Sequence, residues 1–402
     1  MKKLMLLGGT RYTVAAIEAA HKLPCGVHVI TADYLPKNIA HKYSDEYCNV
    51  NITDGDAVLR EAKKRRIDGI LSFATDPGVV SAAYTADKLG LPIPAPYESV
   101  VTMQNKGKFR DFLEKNGFNT PKHRTFSSEE EALELISDFT LPVVIKPVDS
   151  AGSKGVTKVE KIDDIGMAIK IALDNSISKQ FIVEEFIDMR GSQSGSDSFV
   201  KDGKLIFASF DRQYYDIESP NPFTPVAMCY PSDMPSSIQK QLRSEIQRAV
   251  SLLGIGTSII NVECRLGADG NPYIMELSPR AGGNRVPEIA SLASGIDLVG
   301  NSVKAALGLD VDDMQDPIYD GAYARVILHT NKNGIFNGIY IDDDFKDKYL
   351  VEQDVFINPG DKVKGLTGAN QSIGLLFTRF PDSNTADLYL ADTSSWMRID
   401  IA

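Results

Sequence analysis

The sequence predicts a multidomain protein of mixed α/β and α+β class, and three observations carry that expectation. The chain has 402 residues, 43% of them apolar, enough for conventional cores at roughly 150 residues per domain. Its first part alternates compact apolar runs with helical periodicity, the pattern of β-α-β units. Its last part, beyond about residue 315, changes to short β-like runs separated by Asn, Gly and Asp.

The elements follow in order. Lys3 to Leu7 form an apolar run closed by Gly8-Gly9. Val14, Ile17 and Leu23 then suit a helix over Tyr12 to Leu23, and Val27 to Ile30 reads as the second strand. A helix over Asp56 to Arg66, a strand over Gly69 to Phe73 and a helix over Val79 to Leu89 continue the alternation. The breaker-rich Leu91-Pro92-Ile93-Pro94-Ala95-Pro96 ends it, so a first domain is expected at 1–96. Beyond it come a helix over Lys106 to Asn116, a β-branched strand over Pro142 to Lys146, a Gly/Ser loop at Ser150 to Gly155 and a strand over Phe181 to Glu185. Ile238, Leu242, Ile246, Ala249, Val250 and Leu253 recur at helical spacing and mark an amphipathic helix. A central domain is expected at 97–314 and a small β-rich one at 315–402, with strands such as Ala324 to Leu328 and Ser372 to Phe377.

Lys+Arg total 43 against 54 Asp+Glu, a net charge of −11. That balance argues against nucleic-acid or anionic-membrane partners, whose phosphates are neutralised mainly by lysine and arginine. Cys25, Cys48, Cys229 and Cys264 form no C-x-x-C pair, which suits reduced thiols and a cytoplasmic location. The apolar run Leu4 to Leu7 is too short for a signal segment, and nowhere do about 18 apolar residues run together.

The chemistry concentrates in a hairpin. Val262 to Leu266 and Tyr273 to Leu277 flank Asp269-Gly270, a dipeptide that favours a two-residue type I′ turn. That turn sets Glu263 opposite Glu276 and Asn261 opposite Ser278, all on one face, with Val262, Cys264, Met275 and Leu277 on the other. Opposed carboxylates have Cβ atoms about 5 Å apart and repel by roughly 3 kcal/mol at an effective dielectric near 20. A divalent cation reverses that sign, and oxygen donors without histidine suit magnesium better than zinc. The alternative is a solvated sheet face balanced by Arg265. Lys146 closes an apolar strand immediately before the Ser150 to Gly155 loop, whose small residues let backbone N–H groups approach phosphate oxygens. No G-x-x-x-x-G-K-[ST] pattern is present.

The order Lys106, then Leu141-Pro142-Val143-Val144-Ile145-Lys146-Pro147 with its loop, then Val183-Glu184-Glu185-Phe186-Ile187, then Glu263, then Glu276-Leu277-Ser278-Pro279-Arg280 resembles the ATP-grasp superfamily. It is most similar to carboxylate-amine ligases such as the L-amino-acid ligases, D-alanine-D-alanine ligase and the purine-pathway synthetases. Biotin carboxylase and carbamoyl phosphate synthetase are more distant. The resemblance implies a Rossmann-like N-terminal lobe, a central ATP-grasp domain and a β-rich C-terminal domain. It implies that Lys106 and Lys146 contact ATP phosphates, that Ser153, Lys154 and Gly155 close over them, and that Glu184, Glu185, Phe186 and Ile187 form the adenine hinge. Gln193 falls near the position of an acidic ribose ligand in many relatives. Glu263 and Glu276 are implied as magnesium ligands, manganese being the alternative ion. Ser278 stands where relatives usually carry Asn, and is implied as a shorter neutral oxygen donor to the metal, directly or through water.

Arg280 is the residue expected to do chemistry, since a fixed guanidinium suits the charge that develops on a transferring phosphoryl group and on a tetrahedral oxyanion. Gly283 and Arg285 are expected at the substrate, Arg285 as an anion clamp, and Arg11 or Asp76 from the first lobe as further contacts. Tyr214 to Met228 either lines the substrate pocket or is an ordinary connection. Gly8-Gly9 and Asp33 suggest a dinucleotide fold, yet the third glycine of G-x-G-x-x-G is absent. No G-x-S-x-G elbow or H-E-x-x-H set occurs. The expectation is an ADP-forming ligase that joins a small carboxylic acid to an amine through an acyl phosphate. The alternatives are bicarbonate or formate activation, and a noncatalytic ATP-binding module. A homodimer is left open.

Overall fold

The structure, a computed structural model, describes residues 1–368 and 371–402. The N-terminal lobe is a parallel sheet of β1 (Lys2–Leu7), β2 (Val27–Asp33), β3 (Glu46–Asn49) and β4 (Gly69–Leu71), in the order β3-β2-β1-β4. Its connections are α1 (Val14–His21), α2 (Gly55–Arg65) and α3 (Val79–Leu89). Leu4, Met5, Leu6 and Leu7 are all fully buried, as a strand with both faces covered requires, which is why β1 reads as a continuous apolar run. The loops that leave the carboxyl ends of β1, β2 and β4 carry Tyr12, Tyr34 and Asp76 to the cleft described below.

α4 (Tyr97–Met103) and α5 (Lys106–Lys115) lead into two four-stranded antiparallel sheets. The first contains β5 (His123–Phe126), β6 (Val143–Pro147), β7 (Thr157–Val159) and β8 (Phe181–Glu185), in the order β5-β8-β6-β7, with α6 (Glu129–Leu135) and α7 (Ile165–Asp174). Phe126, Val143, Ile145, Ile169, Phe181 and Val183 make its core. The second contains β9 (Ser194–Lys201), β10 (Lys204–Ala208), β13 (Ser258–Leu266) and β14 (Pro272–Ser278), in the order β10-β9-β13-β14. α8 (Ser236–Leu253) lays Leu242, Ile246, Ala249, Val250 and Leu253 into one cluster with Val262, Cys264, Ile274 and Leu277. α8 ends where Gly254 takes a left-handed φ of 63°, the common helix stop.

The stretch Tyr214 to Met228 begins and ends in sheet, with turns between. β11 (Arg212–Tyr215) and β12 (Pro225–Tyr230) join β15 (Ala322–Leu328), β17 (Leu350–Val355) and β19 (Gly374–Phe380) in the order β11-β12-β15-β19-β17. The C-terminal region is thus stitched to the centre of the chain through a shared sheet. α9 (Val286–Ser294) and α10 (Leu298–Ala306) pack against the N-terminal lobe's core. The remaining strands β16 (Gly334–Ile341), β18 (Lys362–Val363) and β20 (Met397–Ile401) form a small sheet beside α11 (Asp343–Tyr349) and α12 (Ser383–Ala391). All four cysteines are free. Among the described residues no helix is long and apolar enough to cross a membrane.

Candidate active site

The hairpin pairs Glu263 with Glu276 and Asn261 with Ser278, the register expected from the sequence. The turn that produces it differs. Gly267 N–H donates to the Asn271 carbonyl at 2.8 Å and Gly270 holds φ 83°, which makes a three-residue loop with glycine at the left-handed position. Nearer the turn the partners are Cys264–Ile274, Arg265–Tyr273 and Leu266–Pro272, and the register shifts after Glu263. Met275 is the extra residue of that bulge, and it restores the pairing that a two-residue turn would have given. The bulge also corrects one expectation. Ile274, not Met275, joins Val262, Cys264 and Leu277 in the core, and Met275 lines the cleft.

The two glutamates experience different fields. Burial and the neighbouring Glu276 carboxylate push the Glu263 carboxyl up to about 7. Glu276 is also penalised by its surroundings, but Lys106 and Lys146 outweigh that and hold it below the usual carboxylate range. Its side chain is 38% exposed, on the wall of a deep cleft where protein surrounds it while solvent still reaches it. Lys106 Nζ sits 2.9 Å from Glu276 and donates to the Ser150 carbonyl at 3.0 Å. The Lys106 backbone N–H donates to the Val148 carbonyl at 2.8 Å, and Asn105 caps α5 by accepting from Lys108 N–H. The helix start therefore fixes Lys106 against the strand end that leads into the glycine loop.

Lys146 is buried and ion-paired to Glu184, which also accepts from Arg110 Nε at 2.9 Å. Burial lowers the Lys146 pKa. Burial opposes the charge on Glu184 as well, but Arg110 and Lys146 dominate and pull it down to about 2. Alternation along β8 turns the Glu184 side chain toward Arg110 and Lys146, so it fixes Lys146 while Glu184 itself still borders the cleft. Glu185, Phe186 and Ile187 line the cleft beside it. The Phe186 N–H is taken by the Pro142 carbonyl at 2.9 Å, whereas the Ile187 N–H has no protein partner among the described residues.

Arg280 bridges the lobes. Its Nε and Nη2 lie 2.8 and 2.7 Å from Asp76 Oδ1, on the loop after β4, and its Nη1 donates to the Ala281 carbonyl at 2.8 Å. The loop beyond it is anchored by Asp197, a fully buried acid that accepts from Gly282 N–H at 2.9 Å and from Asn261 Nδ2 at 2.9 Å. Burial raises the Asp197 carboxyl to about 7.

These groups surround one cavity of about 970 Å³, large enough for a nucleotide with a small second molecule. It gathers Lys106, Lys146, Ser153, Lys154, Gln193, Glu263, Glu276, Arg280, Asp76 and Gly283 as expected. Gln193 lies between Arg265, from which it accepts, and Glu263, to which its Nε2 comes within 3.5 Å. Phe223 lines the cleft too, and its carbonyl accepts from Ser153 Oγ at 3.2 Å, so the Tyr214 to Met228 stretch supports the glycine loop.

Four expected residues stand apart from the cavity lining. Ser278 is buried with its hydroxyl accepting from Gln104 Nε2 at 2.7 Å; Asn261, directly opposite, lines the cavity in its place. Gly155 has φ 73° and backs onto Asn175 and Pro147, so it shapes the loop. Arg11 lies over the Phe356 ring at 4.5 Å, while its neighbour Tyr12 faces the cavity. Arg285 turns away altogether. It pairs with Glu288, Glu352 and Asp354 and stacks 4.5 Å over Phe377, which corrects its expected role as an anion clamp. The sequence reading missed Tyr12, Asn284 and Arg325, all of which line the cavity. For Arg325 the signal was present, a lone charge inside the apolar Ala322–Leu328 run.

Residues 139–288 match the ATP-grasp domain. An uncharacterized protein of Sinorhizobium fredii is 25% identical over 316 residues, covering 76% of this chain and 64% of its own length. The N-terminal section of a carbamoyl phosphate synthase large chain from Methanopyrus kandleri is 22% identical, covering 67% of this chain and 49% of its own length. The chain thus spans less than two thirds of both curated relatives. Among solved structures, an L-amino acid ligase from Bacillus licheniformis superposes with a TM-score of 0.82 at 21% identity, covering 100% of this chain and 99% of that one. A phosphoribosylglycinamide synthetase from Anaerococcus prevotii gives 0.77 at 24% identity, with 100% of both chains covered. These two likenesses establish the fold.

Proposed function

We propose that this ATP-grasp protein is an ADP-forming carboxylate-amine ligase that joins a small carboxylic acid to an amine through an acyl phosphate. The observation that carries the reading is the opposed pair Glu263–Glu276, sharing a cavity with Lys106, Lys146 and Arg280. Two carboxylates without histidine or cysteine fit a hard divalent cation. No third acidic, histidine or cysteine group completes a cage among the described residues, as suits magnesium, which takes its other ligands from phosphate and water. Glu263 and Glu276 would hold that ion, with manganese as the alternative, and it would neutralise charge on the nucleotide's terminal phosphates.

The chain's own groups do the rest. Lys106 and Lys146 bind phosphate oxygens, the Ser150 to Lys154 loop covers them, and the segment from Glu185 to Ile187 borders the adenine. A carboxylate oxygen of the acid attacks the γ-phosphorus and the bond to ADP breaks. The amine then attacks the acyl carbon, gives up a proton, and inorganic phosphate leaves. Arg280, oriented by Asp76, stabilises the charge in both steps. In this reading 1–96 supplies Asp76 and Tyr12, 97–314 carries the nucleotide site, and 315–402 contributes Arg325.

An ADP-release assay with a panel of amino acids, sugar acids and amines tests the proposal. Release that requires both an acid and an amine supports it. Release that requires bicarbonate or formate assigns the chain to the other branch of the family, and nucleotide binding without turnover reduces it to a binding module.

A further inference from the structure

We infer that Arg325 is the counter-ion for a negatively charged group, carboxylate or phosphate, that one substrate keeps through the reaction, so that the cavity behind Arg280 contains an anion subsite. The inference rests on the ligase reading for its substrate, and on independent geometry for its charge. Three arginines in the described chain are buried: Arg110, Arg212 and Arg325. Arg110 is paired to Glu184 and Arg212 to Asp387, while Arg325 has no ion pair among the described residues. A buried guanidinium without a carboxylate is costly, and such a group in a cleft marks a place where a ligand supplies the missing charge.

Arg325 uses one edge only. Nη1 donates to the Asn284 carbonyl at 2.9 Å and to the Gly283 carbonyl at 3.4 Å. Nε is buried without an acceptor. Asp211, the nearest acid to influence it, already accepts from Ser194 Oγ and Gly195 N–H, each at 2.7 Å, and burial raises its carboxyl to about 6. It acts on Arg325 only through space, since no ion pair or hydrogen bond joins the two among the described residues, and its Oδ2 has no hydrogen-bond partner. Gly283 and Asn284 belong to the loop that begins at Arg280, and Arg280 and Arg325 line the same cavity. Tyr12 OH, donating to Asn284 Oδ1 at 2.5 Å, and Gln213 add polar contacts on the same wall. Arg285 is the contrast, with three carboxylate partners and no place in the cavity.

The experiment measures ADP release for matched amines: amino acids against their amides, and O-phosphoethanolamine against ethanolamine, with wild type, Arg325→Gln and Arg325→Lys. Unfolding temperature with AMP-PNP and magnesium serves as the folding control for each variant. Wild type is expected to prefer one charged member by about 100-fold in kcat/KM. Arg325→Gln should lose that preference, mainly through KM, and Arg325→Lys should recover part of it. Preference for amino acids identifies a carboxylate, and preference for phosphoethanolamine a phosphate. A folded Arg325→Gln that handles the charged substrate within twofold of wild type overturns the inference. If wild type releases no ADP with any pair, the ligase reading fails. Arg325 is then judged by malonate and inorganic phosphate, either of which should raise the unfolding temperature of wild type and not of Arg325→Gln. Equal behaviour of the two proteins overturns it.

Discussion

Two carboxylate clusters share this cleft and are balanced in opposite ways. At Glu184 the protein supplies more positive charge than it needs, since Arg110 and Lys146 both converge on one buried acid. At Glu263 and Glu276 it withholds charge: among the described residues Glu276 pairs with Lys106 and Glu263 has no ion pair. The first cluster is neutralised from within the protein, and its acid is driven down to about 2. The second opens on the cavity, and one of its acids is driven up to about 7. Where the chain provides the counter-charge the result is a fixed lysine; where it does not, the ligand must bring it.

The largest effect expected from breaking this contrast is on folding. Glu184→Gln leaves two cations facing each other in a buried site, and should cost about 3–5 kcal/mol, read from urea unfolding. Glu276→Gln should leave folding intact and lower turnover by about 10³-fold, the scale at which lost transition-state electrostatics is felt; unchanged kinetics would remove Glu276 from the metal site.

The clusters should also respond oppositely to pH in metal-free buffer. Glu184 is lowered from an ordinary 4.5 to about 2, so its contribution is complete above about pH 4.5 and is lost as pH falls toward 2. Glu263 is raised from 4.5 to about 7. The folded state then holds a proton that the unfolded state has released, so stability falls as pH rises through that interval. Glu263→Gln should abolish the fall between about pH 4.5 and 7, and Glu184→Gln should abolish the acid-side loss. The smallest effect belongs to Arg285→Ala, which breaks partly exposed pairs and should cost about 1 kcal/mol with kcat/KM unchanged within about twofold. A large rise in KM there would restore Arg285 to the substrate site.

Local pattern carried much of this molecule. Periodicity located α3 and β8 at their observed limits. The hairpin register came out right at the glutamates although the turn has three residues, because the Met275 bulge cancels the difference. What the sequence hid was decided by contacts remote along the chain. Arg285 sits beside the reacting motif and is drawn off by Glu352, 67 positions away. Arg325 sits in another region and is brought under the loop at Asn284, 41 positions distant. Ser278 and Asn261 are opposite each other, and only the three-dimensional partner of Ser278, Gln104, settles which of them faces the cavity.

The central claim is that Glu263 and Glu276 hold a divalent ion against a nucleotide's terminal phosphates. Calorimetric titration of AMP-PNP, with and without magnesium, into wild type and the Glu263→Gln/Glu276→Gln double variant tests it most directly. Magnesium should tighten wild-type binding at least about tenfold and leave the variant's affinity unchanged. Equal tightening in both proteins would contradict the account.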